Sequence, residues 1–301
     1  MPKKIITITV LILLVSSSIV WGQRRHGRDW DDFDDIAWVD INPDATPMIE
    51  FSYGFSKFRQ KKFNGDFSKI GSFELKLGYT ETQELWSEPL IDRNDNFIFG
   101  AYHSSDFVSD NPLSSEFDFN VWQFGIGKRE GYGFDIEPVQ IIPYTQSSVV
   151  WNILKTNQTP GAPVTQDSLV MNSYLNDVGI LDRYNNGVRF GNDYEAGLKV
   201  NIASFIDITG GFQFGTIYPR YMVWKQIGSF AMQTAGLALL DEFVDEIMDS
   251  SPEAGPIMNV LLKGAFNFAF YKLQQEKMSW PFNSETPLGY ENFKFAVTFT
   301  F

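Results

Sequence analysis

Cysteine is absent from this 301-residue sequence, and only two histidines occur. Without a thiol there is no disulfide framework, no thiol metal site, no thiol nucleophile and no lipid-modified cysteine anchor. His26 lies far from His103, so a histidine triad or metal site would depend on His103 alone, and a lone strand histidine is usually an ordinary polar residue. The glycines of residues 125–131 lack dinucleotide-binding spacing. We therefore expect no enzymatic activity, no catalytic residue, no metal and no cofactor.

The chain also lacks an excess of positive charge, because its formal net charge is −13. Nucleic-acid partners require basic stripes, so we expect none. Acidic residues crowd one segment near the N-terminus, residues 29–35. Carboxylates suit calcium, but the spacing matches no EF-hand loop, and runs of like charge usually stay solvated. We expect residues 23–46 to form an acidic, flexible arm.

Long apolar runs are scarce. Residues 5–15 are apolar and follow two lysines, but they fall short of the roughly 20 residues that a membrane-spanning helix needs. Val20 and Gly22 suit a signal-peptidase site, so we expect residues 1–22 to be a signal peptide, with a retained anchor helix as the alternative. No later stretch is both long enough and sufficiently free of charge to predict a membrane-spanning helix. Export without such a helix leaves a soluble protein, such as a β-sandwich with a carrier cavity, or a closed β-barrel.

From residue 47 onward, apolar and polar residues alternate with the two-residue period of β-strands. Eight such segments follow one another: 49–56, 73–80, 96–103, 117–126, 131–151, 188–202, 206–218 and 292–301. An even number suits a closed barrel, although splitting residues 131–151 at its prolines would call for ten strands. The apolar parity changes at Trp122, and we interpret this change as a β-bulge.

The connections between these segments differ in length. We predict short turns at 128–131 and 203–205 on one side of the barrel, and loops at 105–115, 152–187 and 220–290 on the other. Within the second loop, residues 155–186 are polar and contain turn residues, which indicates irregular structure. The connection 82–95 lies on the side of the barrel where short turns are expected, and it is long for that side.

The final strand is the most specific part of the sequence. Its outward row consists of Phe293, Phe295, Val297, Phe299 and Phe301, and the chain ends on that last aromatic. This segment resembles the closing strand of bacterial (Gram-negative) outer-membrane β-barrel proteins, whose terminal aromatic is read by the barrel assembly machinery. The resemblance implies an all-β, transmembrane antiparallel barrel over residues 47–301, located in the bacterial outer membrane. Outer-membrane lipid and the assembly machinery would be its partners, and the five residues its assembly signal.

The polar faces of the strands would line the lumen. We expect these acids and bases to face inward: Glu50, Glu74, Asp118, Asp135, Glu137, Asp193, Glu195 and Asp207, with Lys76, Arg189, Lys199 and Lys294. Because an unpaired buried charge is costly, these groups should pair with one another. The expected result is a filled, poorly conducting interior, and an acidic excess would favour cations if a solute did pass.

Residues 226–275 break the strand pattern. Phe230, Leu237 and Val244 belong to an apolar stripe at helical spacing, and Ile257, Leu261 and Phe268 belong to a second stripe after the break at residues 250–256. We predict an αα-hairpin inserted before the last strand. Three positions stay open: the barrel mouth, the lumen, which a barrel of eight strands fills with its own side chains, and the membrane surface or a docked partner.

Three function classes follow from this interpretation. The favoured one is a non-enzymatic barrel that is structural or binds a partner through its long outer loops and hairpin, with an envelope protein as the partner of residues 226–275. The alternative is a channel or transporter for small or hydrophobic solutes. An outer-membrane enzyme is the third, and the histidine-bearing motifs associated with such phospholipases and proteases are missing from the sequence.

Overall fold

Eight antiparallel strands form a closed barrel in the computed structural model, which describes residues 45–85, 89–108, 115–165, 167–185 and 187–301. Each strand pairs with its neighbours in sequence, and the last pairs with the first. The strands are β1 (Thr46–Arg59), β2 (Ile70–Glu84), β3 (Leu90–Ser104), β4 (Asp118–Ile136), β5 (Val139–Gln158), β6 (Val188–Ala203), β7 (Ile206–Ile217) and β8 (Leu288–Thr300). The predicted eight-stranded barrel is confirmed. The predicted signal peptide and nearly all of the predicted acidic arm lie outside the described residues.

The two-residue period determines which way each side chain points. In β1, Phe51 and Phe55 are exposed on the outer wall, while Glu50 and Ser52 are buried inside. Long connections join the strands at one end of the barrel, which we call the loop end, and short ones join them at the opposite end, the turn end. The described residues of the connections after β1, β3 and β5 therefore lie at the loop end, and segment 218–287 begins and ends there.

Two predicted connections are strand instead. Residues 128–131 continue β4, and the turn comes at Glu137 and Pro138. Most of 82–95 is also strand, because β2 extends to Glu84 and β3 starts at Leu90. In both places the outward positions are polar as well as the inward ones, so the hydrophobic alternation that marks a strand is lost.

The predicted bulge at Trp122 is wrong. The register of β4 against β5 is regular from Phe119 onward, and its irregularity lies between Asp118 and Phe119. Phe119 and Val121 are buried inside the barrel, whereas Trp122 is exposed outside. The parity of apolar residues changes because the interior itself is apolar near the loop end.

Three α-helices and one short 3-10 helix (Ser105–Phe107) complete the described part of the chain; the α-helices are α1 (Ser168–Asp182), α2 (Val223–Ser250) and α3 (Gly255–Gln274). The first lies in the predicted loop 155–186, which is a correction. Its sequence is polar, but Asp167 caps it by accepting a hydrogen bond from the Leu169 amide at 2.8 Å. Among the described helices, none is long and apolar enough to cross a membrane.

The hairpin of α2 and α3 leaves the loop end and packs on the outer wall of the barrel, where α3 contacts β4, β5, β6 and β7. It therefore occupies neither the mouth nor the lumen. The mouth is closed instead by a cluster of apolar side chains that includes Phe58, Phe119, Ile180 and Tyr290, to which α1 contributes.

Candidate functional site

The centre of the barrel interior is an ion pair network around Glu50. Its carboxylate accepts hydrogen bonds from Arg129 at 2.7 and 2.8 Å, from Lys76 at 2.8 Å and from Thr298 at 2.7 Å. The ammonium group of Lys76 also donates to Gln146 at 2.9 Å. These groups come from five strands, so side chains cross the lumen at this level and fill it.

A second group of charges lies beside the first, toward the loop end. Lys294 contacts Glu74 at 2.8 Å and Glu195 at 2.7 Å, and Tyr144 donates a hydrogen bond to Glu195. Asp193 accepts a hydrogen bond from Gln213 at 2.6 Å. All of these side chains are buried.

The third group lies toward the turn end. Arg93 contacts Asp207 at 2.6 Å, and Lys199 pairs with Asp95. Asp95 also accepts a hydrogen bond from Thr80 at 2.6 Å. Buried carboxylates and cations thus alternate along the interior, and each charge has an oppositely charged or hydrogen-bonding neighbour.

Most of the predicted lumen charges meet in this network: Glu50, Glu74, Lys76, Asp193, Glu195, Lys199, Asp207 and Lys294. Two others lie at the loop end. Asp118 accepts hydrogen bonds from Ser68 at 2.5 Å and from Asn157 at 3.0 Å, and Arg189 donates to the carbonyl of Arg183.

Two further acids that we expected inside, Asp135 and Glu137, lie at the β4–β5 turn. They belong to the turn end because the chain reverses there rather than at residues 128–131. Neither is fully buried, so neither adds charge to the buried network.

Sequence reasoning missed Arg93, Asp95 and Arg129, each of which lies in a stretch that we predicted to be a turn or a connection. Extending the inward parity of β3 and β4 across those stretches would have found them. With these residues included, the buried cations nearly match the carboxylates in number, so the predicted acidic excess is much smaller.

His103 is enclosed near the loop end of the interior. It is 2% exposed, its Nδ1 lies 3.2 Å from the Ser56 hydroxyl, and its ring contacts those of Phe58 and Tyr290. A catalytic histidine needs access to a substrate, and these neighbours surround the ring. Among the described residues, no group of three or more His, Asp or Glu side chains is arranged to hold a metal ion.

The loop end is held together by contacts between its connections. Asp177 of α1 accepts hydrogen bonds from the backbone amides of Asn64 at 3.0 Å and Gly65 at 2.8 Å. Lys61 pairs with Glu276 at 2.8 Å, and this hydrogen bond holds the pKa of the Glu276 carboxyl below its usual range. A cavity of about 670 Å³ opens here, and four basic residues lie among its lining: Lys57, Arg59, Lys61 and Lys69.

The uncovered part of the outer wall is a continuous apolar and aromatic band. Exposed members from five strands include Phe55, Phe73, Ile98, Phe124 and Phe295. The predicted assembly-signal residues belong to this band: Phe293, Phe295, Val297 and Phe299 point outward from β8, and Phe301 follows the strand.

The covered part of the outer wall carries polar and charged side chains among a few aromatic ones, and the hairpin bonds to it through polar side chains. Asn192 donates to Gln274 of α3 at 2.9 Å, and Tyr194 donates to Gln233 of α2 at 2.8 Å. Further along, Lys263 of α3 pairs with Asp241 of α2 and lies 3.9 Å from Glu130 of β4.

These polar contacts follow one another from the loop end toward the turn end, since Asn192 lies near the start of β6 and Glu130 lies in the second half of β4. The hairpin therefore runs along the wall. A cavity of about 100 Å³ remains between hairpin and wall, lined in part by Lys128, Ser147 and Asn267.

The second helical stripe, whose position the sequence left open, is largely exposed. Ile257 and Leu261 of α3 point away from the barrel, Phe268 lies at the edge against β7, and Asn259 and Lys263 point toward the barrel. The reason is the wall beneath: its polar side chains pair with the polar side of the helix.

No family model and no curated protein matches this sequence. Several solved structures are similar to it, among them the following two. Neisserial surface protein A (NspA) is 10% identical, with 85% of this chain and 97% of that chain covered at a TM-score of 0.39. Ail, the attachment invasion locus protein of Yersinia pestis, is 8% identical, with 86% and 99% covered at a TM-score of 0.33. The fold is established by the strand pairing of this chain itself.

Proposed function

We propose that this protein is a non-enzymatic β-barrel of the bacterial outer membrane with a closed lumen, which acts as a structural or partner-binding element of the envelope. The observation that carries the proposal is the reversed polarity of the barrel, with buried ion pairs inside and exposed aromatics outside. A soluble protein places its apolar residues inside, whereas a barrel in lipid places them outside.

The closed lumen favours this role over transport. Glu50 and Arg129 join opposite strands across the interior, and the apolar cluster at the loop end seals the mouth. A solute would have to separate several buried ion pairs at once, and each separated charge would be costly in a narrow lumen. A channel for small or hydrophobic solutes needs an open path or a cavity along the axis.

The loop end is the surface that a partner would meet. α1 carries exposed apolar side chains at Leu169, Val170 and Leu175, and its position is fixed by the Asp177 hydrogen bonds. A rigid platform with exposed apolar groups suits protein recognition, because few conformations need to be ordered on binding. The hairpin offers less for an envelope partner, since its polar side already faces the barrel wall.

Planar-bilayer recording with the purified chain tests the closed lumen. We expect no stable channels, because side chains from most strands meet across the axis. The matched variant carries both Arg129→Ala and Glu50→Ala, so that neither member of the central ion pair is left without the other. If removing side chains from the lumen opens a path, this double variant is the one in which we expect conductance. Large, stable channels in the unmodified chain would contradict the proposal and favour the transporter.

A further inference from the structure

We infer that the hairpin of α2 and α3 lies within the lipid layer, on the outside of the barrel, and turns its exposed apolar face to lipid acyl chains. It would thereby complete the apolar surface of the barrel over the part of β4 to β7 whose outer wall carries charged and polar side chains. This inference rests on the proposed membrane location, which the experiment below tests separately.

The first observation is that both helices bury many polar side chains and expose many apolar ones. Polar side chains are buried against the barrel, the neighbouring helix or the adjoining chain segments: Gln226, Ser229, Gln233, Asn259, Lys263 and Asn267. Apolar side chains face away from the barrel and are exposed: Met232, Leu239, Phe243, Ile257 and Leu261. A helix on a water-soluble protein shows the opposite arrangement.

The second observation is the wall that the hairpin covers. Outward positions on β4 to β7 include Lys128, Glu130, Thr145, Asn192 and Thr216, in the region where the other strands carry aromatics. Charged groups on the lipid face of a barrel are destabilising, most strongly near the middle of the bilayer. The hairpin separates these groups from the surroundings and supplies hydrogen-bonding partners for several of them.

The third observation is the distribution of charge along the hairpin. Residues 226–240 of α2 contain no charged side chain, and Lys263 is the single charge between residues 255 and 271. Charges gather at the two ends, with Lys225 and Lys272 near the loop end and acidic residues 241–253 around the tip. The uncharged part of α2 spans roughly 22 Å at 1.5 Å per residue, close to the roughly 25 Å height of a barrel's apolar band.

The fourth observation is continuity between the two apolar surfaces. Phe268 of α3 contacts the rings of Phe212 and Phe214 on β7, with centroids 6.2 and 5.3 Å apart. Phe212 is paired in register with Phe293 of β8, which belongs to the aromatic band. The exposed face of the hairpin and the band therefore form one apolar surface, and we assign the same occupant, lipid, to both.

Single-cysteine labelling tests this assignment, and the chain suits it because it contains no cysteine of its own. The hairpin variants are Leu239→Cys and Leu261→Cys, both at exposed positions where the fold tolerates change. Ile98→Cys reports on the barrel band and Val164→Cys on the loop end, where the side chain is fully exposed. Each protein is placed in phosphatidylcholine vesicles and treated with a charged maleimide, and a fluorophore at the same cysteine is challenged with lipids that carry a quencher on the acyl chain.

We expect both hairpin cysteines to react at least about tenfold more slowly than the Val164→Cys variant, because a charged reagent does not enter the hydrocarbon core. Fluorophores at these positions should be quenched by the acyl-chain quencher as strongly as one at residue 98. Rapid labelling of both hairpin variants together with protection of the Ile98→Cys variant would overturn the inference and leave the proposed function intact.

Two further outcomes are informative. Rapid labelling of the Ile98→Cys variant as well would contradict the membrane barrel itself. Efficient disulfide formation between copies of the Leu261→Cys variant would show that a second copy of the chain, and not lipid, covers this face, and would also overturn the assignment.

Discussion

Arg129 of β4 and Glu50 of β1 form a two-point ion pair through the interior of the barrel, with N–O distances of 2.7 and 2.8 Å. The two strands are not neighbours in the barrel, so the pair spans the lumen instead of reinforcing a strand ladder. Charge-assisted bidentate pairs of this kind are geometrically specific. The pair fixes the distance between opposite walls and occupies the space that a solute would need.

Arg129→Met tests the energetic weight of this pair. The substitution leaves the buried carboxylates of Glu50 and Asp95 without one of their cations, so we expect the free energy of unfolding to fall by about 3 kcal/mol or more. Urea titration of the refolded chain in detergent micelles gives this value. Arg59→Met is the matched control, because Arg59 lies exposed at the rim, and should change stability by less than about 0.5 kcal/mol. Equal stability of the two variants would contradict the account of the lumen.

Gly264→Leu tests how closely the hairpin approaches the wall. A Cβ atom at Gly264 would lie 3.3 Å from the Cβ of Ala196 on β6, closer than ordinary van der Waals contact, so a leucine side chain there would press on the wall. We expect the substitution to lower the free energy of unfolding by about 1–3 kcal/mol through overpacking. Ala265→Leu adds the same side chain one residue further on, at an exposed position, and should be nearly neutral. If both variants unfold alike, α3 does not pack on β6 as described.

Deletion of residues 226–275 tests why the hairpin is there. Replacing the segment with a short Gly-Ser linker uncovers Lys128, Glu130 and Asn192, so we expect the yield of folded, membrane-inserted barrel to fall severalfold or more. The matched second variant combines the same deletion with Leu at all three of these positions, and it should recover much of the yield. The gel mobility of unheated samples measures the folded fraction of both variants. Full insertion of the simple deletion would show that the polar wall tolerates lipid on its own.

The barrel itself could be predicted because most strands keep apolar residues on one face. Alternation such as that of Phe51, Tyr53 and Phe55 against Glu50 and Ser52 follows directly from the strand period. Where the outer wall is covered, the rule fails. Lys128 and Glu130 point outward as Arg129 points inward, so three successive polar residues look like a turn although they lie in the middle of a strand.

The position of the hairpin could not be predicted for a related reason. Helical spacing identifies apolar stripes such as that of Ile257, Leu261 and Phe268, but it does not tell whether water, protein or lipid meets them. The decisive information is the polarity of the wall beneath α3, and that wall is assembled from β4 to β7, which are distant in sequence. Three-dimensional contacts such as that between Lys263 and Glu130 were needed to find it.

Heat-modifiable gel migration tests the central claim, a barrel that resides in the outer membrane. After extraction of the membrane fraction with detergent, we expect the unheated protein to migrate differently from the boiled protein, because a closed barrel resists unfolding in detergent at room temperature. The protein should also remain in the membrane pellet after washing with alkaline carbonate or urea. Identical migration before and after boiling, with release of the chain into the wash, would contradict the account.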